Sequence, residues 1–293
     1  MNDSIAAAHD GLELYNHVAE SASATVISQY STSFALACRL LGPRARHHVR
    51  NIYALVRVAD EVVDGPCAAA GVPSDTIRVI LDELEADTLR AVEHGFSANL
   101  VVHAFAATAR ECGIGANLIT PFFASMRTDL DVSTHDAASH DDYVYGSAEV
   151  VGLMCLQVFT NAGKSHPSPP APHLVDGARR LGAAFQDVNF LRDLEHDSAD
   201  LGRDYLGVDA RTVSRTAVLD RIDDDLRAAA ATIPQLPRDC RRAVTAAHDL
   251  FAELSARLRA NDGADARVRV PNPVKAALAG RAWLGMPPKE VRS

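Results

Sequence analysis

The stretch VRVADEVVDG (residues 56–65) places three carboxylates, Asp60, Glu61 and Asp64, in otherwise apolar sequence, with Arg57 three places ahead of Asp60. At 3.6 residues per turn, Tyr53, Arg57, Asp60 or Glu61, and Asp64 share one helical face. The intervening residues are Ala54, Leu55, Val56, Val58, Ala59, Val62 and Val63. A helix that is apolar nearly all round must be buried, and a buried carboxylate must be paired or must hold a cation. A second stretch, AAFQDVNFLRDLEHDSADLGRDYL (183–206), has the same design. Gln186, Asn189, Asp193 and Asp197 fall at steps of three, four and four, with Arg192, Arg203 and Tyr205 beside them. Taken alone, either stripe reads equally well as a solvated face with internal ion pairs such as Arg57 with Glu61. Two stripes of matching period, each on an apolar helix, favour the buried reading.

Two such stripes facing each other across a bundle would enclose a set of oxygen ligands, which suits Mg²⁺. Magnesium takes one or two carboxylates per ion and completes its shell with water and phosphate oxygens. The pattern therefore predicts a phosphorylated ligand gripped by the flanking arginines. The remaining wall is apolar, so the rest of that ligand is hydrocarbon.

The remaining sequence supports an all-α chain. Aromatics are scarce at 5%, and the abundant alanine and leucine are strong helix formers. Periodicity and Gly/Pro breaks predict helices over 15–40, 44–64, 75–95, 99–112, 117–130, 139–162, 171–197, 215–232, 237–261 and 272–284. RVRVP (267–271) alternates but is short and ends in proline. KSHPSPPAP (164–172) reads as a connection within one domain, and 293 residues sit near the upper limit for one core. A net charge of −9 argues against a general nucleic-acid binder. Five scattered cysteines, Cys38, Cys67, Cys112, Cys155 and Cys240, read as free thiols of a reducing compartment. With no signal-peptide pattern and no apolar run of about 20 residues, a cytoplasmic protein is expected. Three further clusters are discounted. RIDDDL (221–226) reads as solvated acids, THDAASHDD (134–142) as a loop and helix start, and His47-His48 as surface. The basic, partly apolar RVRVPNPVKAALAGRAWLG near the C-terminus either closes the bundle or makes peripheral contact with a membrane where a lipophilic product leaves; packing is the preferred reading.

The two acidic stripes, with YSTSFALACRLLGPRARHHVRNIYALVRVADEVVD (30–64) and YVYGSAEVVG (143–152), resemble the squalene and phytoene synthase family of head-to-head isoprenyl diphosphate synthases. The resemblance runs from about residue 25 to 285. It implies one class I isoprenoid-synthase helical bundle, residues 1–293, around a central cavity. It further implies that Asp60, Glu61 and Asp64 form one metal-binding motif, and Asn189, Asp193 and Asp197 the other. Ser31, Ser33 and Phe34 would lie near a diphosphate end, Tyr53, Arg57, Gln186, Arg192, Arg203 and Tyr205 would surround the diphosphates, and Tyr143 would line the cavity. Departures from the family pattern are His196 in place of an acid, a longer 197–203 segment, Gly207 in place of a proline, and Glu149 where a small residue is common. Glu149 would alter the chemistry only if it points into the cavity.

The reaction implied joins two allylic diphosphates with three Mg²⁺ ions bridging carboxylates and diphosphates. It proceeds through a cyclopropylcarbinyl diphosphate to phytoene by proton loss, or to squalene with hydride from NADPH. The proton goes to released pyrophosphate or to a tyrosine hydroxyl. Phe34 and Cys38 lie one turn apart; Cys38 reads at least as well as a plain core residue, and if it faces the cavity its small side chain leaves room for a longer tail, which favours twenty-carbon substrates and phytoene. Squalene or dehydrosqualene synthesis from farnesyl diphosphate is the alternative, and a class I cyclase the next.

Overall fold

A computed structural model describes residues 2–131, 137–196, 214–261 and 268–291, with the side chains of residues 2–9, 32, 33, 137, 138 and 194–196 outside that description. Among the described residues there are helices and no strand. In chain order they are α1 (Asn2–Tyr30), α2 (Thr32–Arg39), α3 (Pro43–Val63), α4 (Pro66–Ala69), α5 (Ser74–His94), α6 (Leu100–Cys112), α7 (Ala116–Asp131), α8 (Ala137–Val144), α9 (Val150–Asn161), α10 (Pro172–His196), α11 (Arg215–Thr232), α12 (Arg238–Ala260) and α13 (Asn272–Trp283).

Most ends follow local chemistry. Pro43 opens α3 behind Gly42. Gly95 and Gly113 close α5 and α6 in the left-handed region, at φ 86° and 77°. Asn99 caps α6 by accepting from the amides of Val101 and Val102.

Two expected helices are interrupted. The span 15–40 breaks at Ser31, whose backbone is extended (φ −144°, ψ 108°) and whose hydroxyl accepts the Phe34 amide. A serine that satisfies an amide this way offers the chain an alternative to continuing the helix. The span 139–162 contains a π-helical turn, Tyr145–Glu149, between α8 and α9. There the helices crowd. A Cβ on Gly146 would lie 2.4 Å from the Pro121 carbonyl oxygen, and one on Gly182 2.7 Å from that of Ala148. Only glycine lets α7 and α10 approach the π-turn this closely.

The helices pack as two halves. One apolar cluster, with Phe105, Phe122 and Phe123 fully buried, unites α3, α5, α6, α7 and α9. A second joins α10, α11 and α12, with Val188, Ile222 and Leu226 inside. A third, small cluster of Leu156, Leu174, Ile233, Leu236 and Val244 bridges α9, α10 and α12. α13 packs on α12 and α2, with Trp283 and Leu284 exposed beyond it. No helix among the described residues is long and apolar enough to cross a membrane.

Two expectations fail in this framework. His48 is not at the surface: it is 3% exposed, with Nδ1 3.0 Å from the Thr108 hydroxyl, between α3 and α6. The acids of RIDDDL also divide. Asp224 is solvated, but Asp223 is buried and accepts from Ser255 at 2.7 Å and Arg259 at 2.7 Å. Consecutive residues point in different directions round a helix, so one of the three meets α12.

Burial, with His47 alongside, depresses the His48 pKa from 6.5 to about 4 against the opposing pull of Glu111. The folded state therefore binds fewer protons than the unfolded chain between these values. The resulting stability is complete above pH 6.5 and is lost as pH falls toward 4. In His48→Gln, urea unfolding midpoints are expected to fall less steeply than in the wild type between pH 7 and pH 4.5. In Gly182→Ala, the same assay should show a loss of about 1–3 kcal/mol from overpacking against Ala148.

Candidate active site

The two halves meet across a cavity of about 720 Å³. α3 lines it with Tyr53, Arg57, Asp60 and Asp64, and α10 with Gln186, Asn189, Arg192 and Asp193. Ser31, at the head of α2, Phe34 from its first turn and Tyr143 from the end of α8 complete the predicted residues brought together there. Glu61 sits beside this lining, paired with Arg57 one turn back. Ser33 belongs to α2, but its side chain lies outside the described residues, as do Asp197, Arg203 and Tyr205 entirely.

The cavity is polarised along its length. Leu174 and Asp193 both line it, nineteen residues apart on α10 (193 − 174). At 1.5 Å per residue this is about 28 Å. The carboxylates occupy one end, and the bridging cluster of Leu156, Leu174, Ile233, Leu236 and Val244 forms the other.

The acids stand where a helix least favours them. Asp60 lies in the last turn of α3 and Asp64 is its C-cap, and no basic residue offsets them in that turn. A helix C-terminus carries about half a negative charge. What surface Asp60 exposes faces the cavity, not bulk water. Burial first, then Asp64 and more weakly Asp129, push its carboxyl up to about 8, with Arg57 pulling the other way. Arg192 partly neutralises the second wall by clamping Asp193 in two bonds of 3.0 and 2.6 Å. The Arg57 guanidinium pairs with Glu61 and lies 4.7 Å over the Tyr30 ring. Its buried Nε finds no acceptor among the described residues.

Among the described residues, no three His, Cys, Asp or Glu side chains converge closely enough to hold a metal ion by themselves. The donors are hard oxygens on facing walls, Asp60 and Asp64 opposite Asn189 and Asp193, with an unsatisfied Arg57 N–H beside them. This set fits a divalent ion that takes most of its ligands from phosphate and water.

Beyond the acids the walls are aromatic and small. Phe34 lies 5.9 Å from Tyr53, Tyr143 lies 5.9 Å from Phe190, and Phe185 stacks on Phe251 at 3.8 Å. Burial raises the Tyr53 hydroxyl pKa, opposed by Arg57 and by a hydrogen bond with Ser31. Cys38 and Cys155 also line the cavity. Burial pushes their thiols up to about 11 and about 12, so both remain protonated. All five cysteines are free thiols.

Glu149 does not enter the cavity. Its carboxylate accepts from Arg179 Nε at 2.5 Å, while its π-turn neighbours Ser147 and Ala148 line the wall. Asp129 and Phe251 are among the lining residues that sequence reasoning missed. Asp129 had a readable signal, an acid three residues after Met126 and seven after Phe122, on the apolar face of its helix.

Residues 27–212 match the family model described as squalene/phytoene synthase. A 15-cis-phytoene synthase of Paracoccus sp. is 30% identical, with the match covering 90% of this chain and 89% of that protein. One from Synechocystis sp. is also 30% identical, over 88% and 82%. A solved dehydrosqualene synthase shares the fold, with a TM-score of 0.75 at 23% identity over 91% of this chain and 96% of that one.

The crowded position of Asp60 has a measurable cost. Above pH 8 its carboxylate is charged in both folded and unfolded chains, and only the folded one meets the repulsion. Asp60→Asn should therefore raise the stability of the metal-free protein by about 1–2 kcal/mol at pH 9, read as a higher urea midpoint in the presence of a chelator. An unchanged or lower midpoint would contradict the electrostatic picture.

Proposed function

This chain belongs to the squalene/phytoene synthase family, and on that footing we propose that it joins two geranylgeranyl diphosphates head to head, in a Mg²⁺-dependent reaction, to give phytoene. The observation that carries this reading is the polarity of the cavity: over a span of about 28 Å, facing oxygen donors and arginines occupy one end and an apolar lining the other.

Asp60 and Asp64 on one wall, with Asn189 and Asp193 on the other, would hold the magnesium ions. When bound, the ions supply the positive charge that lets the allylic C–O bond ionise. Arg57 and Arg192 grip diphosphate oxygens, and the buried Nε of Arg57 gains the acceptor it lacks. The prenyl tails lie along the apolar walls, which exclude water from the allylic cation. The faces of Phe34, Tyr53 and Tyr143 stabilise positive charge. The second substrate's double bond then attacks the cation left by the first pyrophosphate, and loss of a proton closes the cyclopropylcarbinyl diphosphate. This sheds its own pyrophosphate, rearranges and loses a second proton to give phytoene. Both protons pass to released pyrophosphate or a tyrosine hydroxyl.

Chain length is set by how deep the tunnel runs. Cys38 lies one turn beyond Phe34 and, like Cys155, Gly177, Ala178 and Gly182, leaves room in the lining. That room supports the twenty-carbon substrate. The alternative, farnesyl diphosphate giving squalene or dehydrosqualene, is tested in the same assay.

Purified protein is incubated with Mg²⁺ and geranylgeranyl or farnesyl diphosphate, with and without NADPH, and the hydrocarbon is identified. A forty-carbon product without NADPH is expected. A thirty-carbon product selects the farnesyl reading, and a cyclic product overturns the head-to-head assignment. Asp60→Asn and Asp193→Asn should each lower turnover by at least about a hundredfold with helical circular dichroism intact. For Asp60→Asn this would accompany the gain in metal-free stability.

A further inference from the structure

One carboxylate of the cavity has no part in the scheme above. Asp129, on α7, is 8% exposed and lines the cavity together with Tyr143. The Tyr143 hydroxyl donates to its Oδ2 at 2.9 Å. Tyr143 is itself only 5% exposed, with its ring packed against Phe190.

The pair is held at more than one level. One turn before Asp129, the Ser125 hydroxyl donates to the Tyr143 carbonyl oxygen at 3.1 Å. Just after Tyr143, Gly146 presses so closely on α7 that a Cβ there would lie 2.0 Å from Ser125 Oγ. Side chain, backbone and close packing thus fix α7 and the π-turn in a single register. Burying a carboxylate is costly, and a stability role alone would be met by an apolar residue in this wall.

A phenol has one proton to donate and two lone pairs to offer. With its proton committed to Asp129, the Tyr143 oxygen keeps only acceptor capacity, and a charged partner strengthens the bond and enriches that oxygen in electron density. We propose that Asp129 is a positioning residue of this site, which holds the Tyr143 hydroxyl so that its lone pairs face the carbocation between the acid end and the aromatic wall. This rests on the prenyl-transfer reading above. With a neutral amide in place of the carboxylate the bond is weaker, and the tyrosine proton turns more readily into the cavity, where it repels the cation.

The experiment is a double-mutant cycle of wild type, Asp129→Asn, Tyr143→Phe and the double variant, supplied with Mg²⁺ and geranylgeranyl diphosphate. The readout is the ratio of head-to-head hydrocarbon formed to pyrophosphate released, with water-quenched prenyl alcohols measured beside it. Each single variant should lower that ratio about tenfold, and the double variant should be no worse than Tyr143→Phe, because residues acting through one another are not additive. Additive losses, an Asp129→Asn protein with the wild-type ratio, or one in which pyrophosphate release itself disappears would overturn the inference; the last would assign Asp129 to the ionisation step. If Asp129→Asn fails to fold, Asp129→Glu, which keeps the charge, carries the test. It should retain a ratio above that of Tyr143→Phe, and a ratio at or below it counts against the proposal. A wild type that releases pyrophosphate yet makes no head-to-head hydrocarbon overturns the functional reading, whereas a competent wild type with an unaffected cycle overturns this inference alone.

Discussion

Carboxylates repel one another, and the carboxyl end of a helix repels them further. At the mouth of this cavity Asp60, Asp64 and Asp193 stand near the C-terminal ends of α3 and α10, facing a space walled by protein. Such an arrangement persists only if the rest of the chain enforces it. The enforcement comes from apolar packing. The carboxylate-bearing turn of α3 is continuous with Ile52, Leu55 and Ala59 in one core, and that of α10 with Ala184, Val188 and Leu191 in the other. The local ion pairs, Arg57 with Glu61 and Arg192 with Asp193, relieve part of the charge. Under the proposed function, magnesium ions bound among these carboxylates would relieve the same crowding.

The cavity is not a hole within a single core. It is the seam between two packed halves, closed at its far end by a third small cluster. This explains why one space carries both hard oxygen donors and a hydrocarbon lining. Side chains on the inward faces of α3 and α10 pass from charged to apolar as the helices run away from the mouth. In the proposed reaction, ionisation and water exclusion would therefore be served by different turns of the same two helices.

The helices and the two acidic walls were legible because they rest on local rules: period, glycine and proline stops, and the impossibility of burying an unpaired acid. What escaped depended on neighbours distant in sequence. Ser31 reads as part of an apolar run until its hydroxyl is seen to cap Phe34. His48 and Asp223 look like surface residues until α6 and α12 supply their partners. Glu149 stands where a small residue is common, and its direction depended on a partner distant in sequence: Arg179 holds it outside the cavity. Asp129 also sits on the apolar face of a helix, but unlike Asp60, which has Asp64 four residues on, it has no second acid at helical spacing, since Asp131 is two residues away, and it drew no attention.

The π-turn ties two ends of the tunnel together. Tyr143, Ser147, Val151, Cys155 and Phe159 all line the cavity at steps of four. In an unbroken α-helix such a row drifts by about 40° per step and soon leaves any one wall. The wider turn at Tyr145–Glu149 absorbs part of that drift, so one straight stripe reaches from the aromatic wall toward the hydrophobic floor. Removing a single residue here would leave a respectable helix, yet everything beyond would swing by about 100°. Tail room and reaction geometry thus share one structural register, and lineages that lengthen or shorten the tunnel are confined to exchanging side chains along it, because sliding the backbone would dismantle both at once.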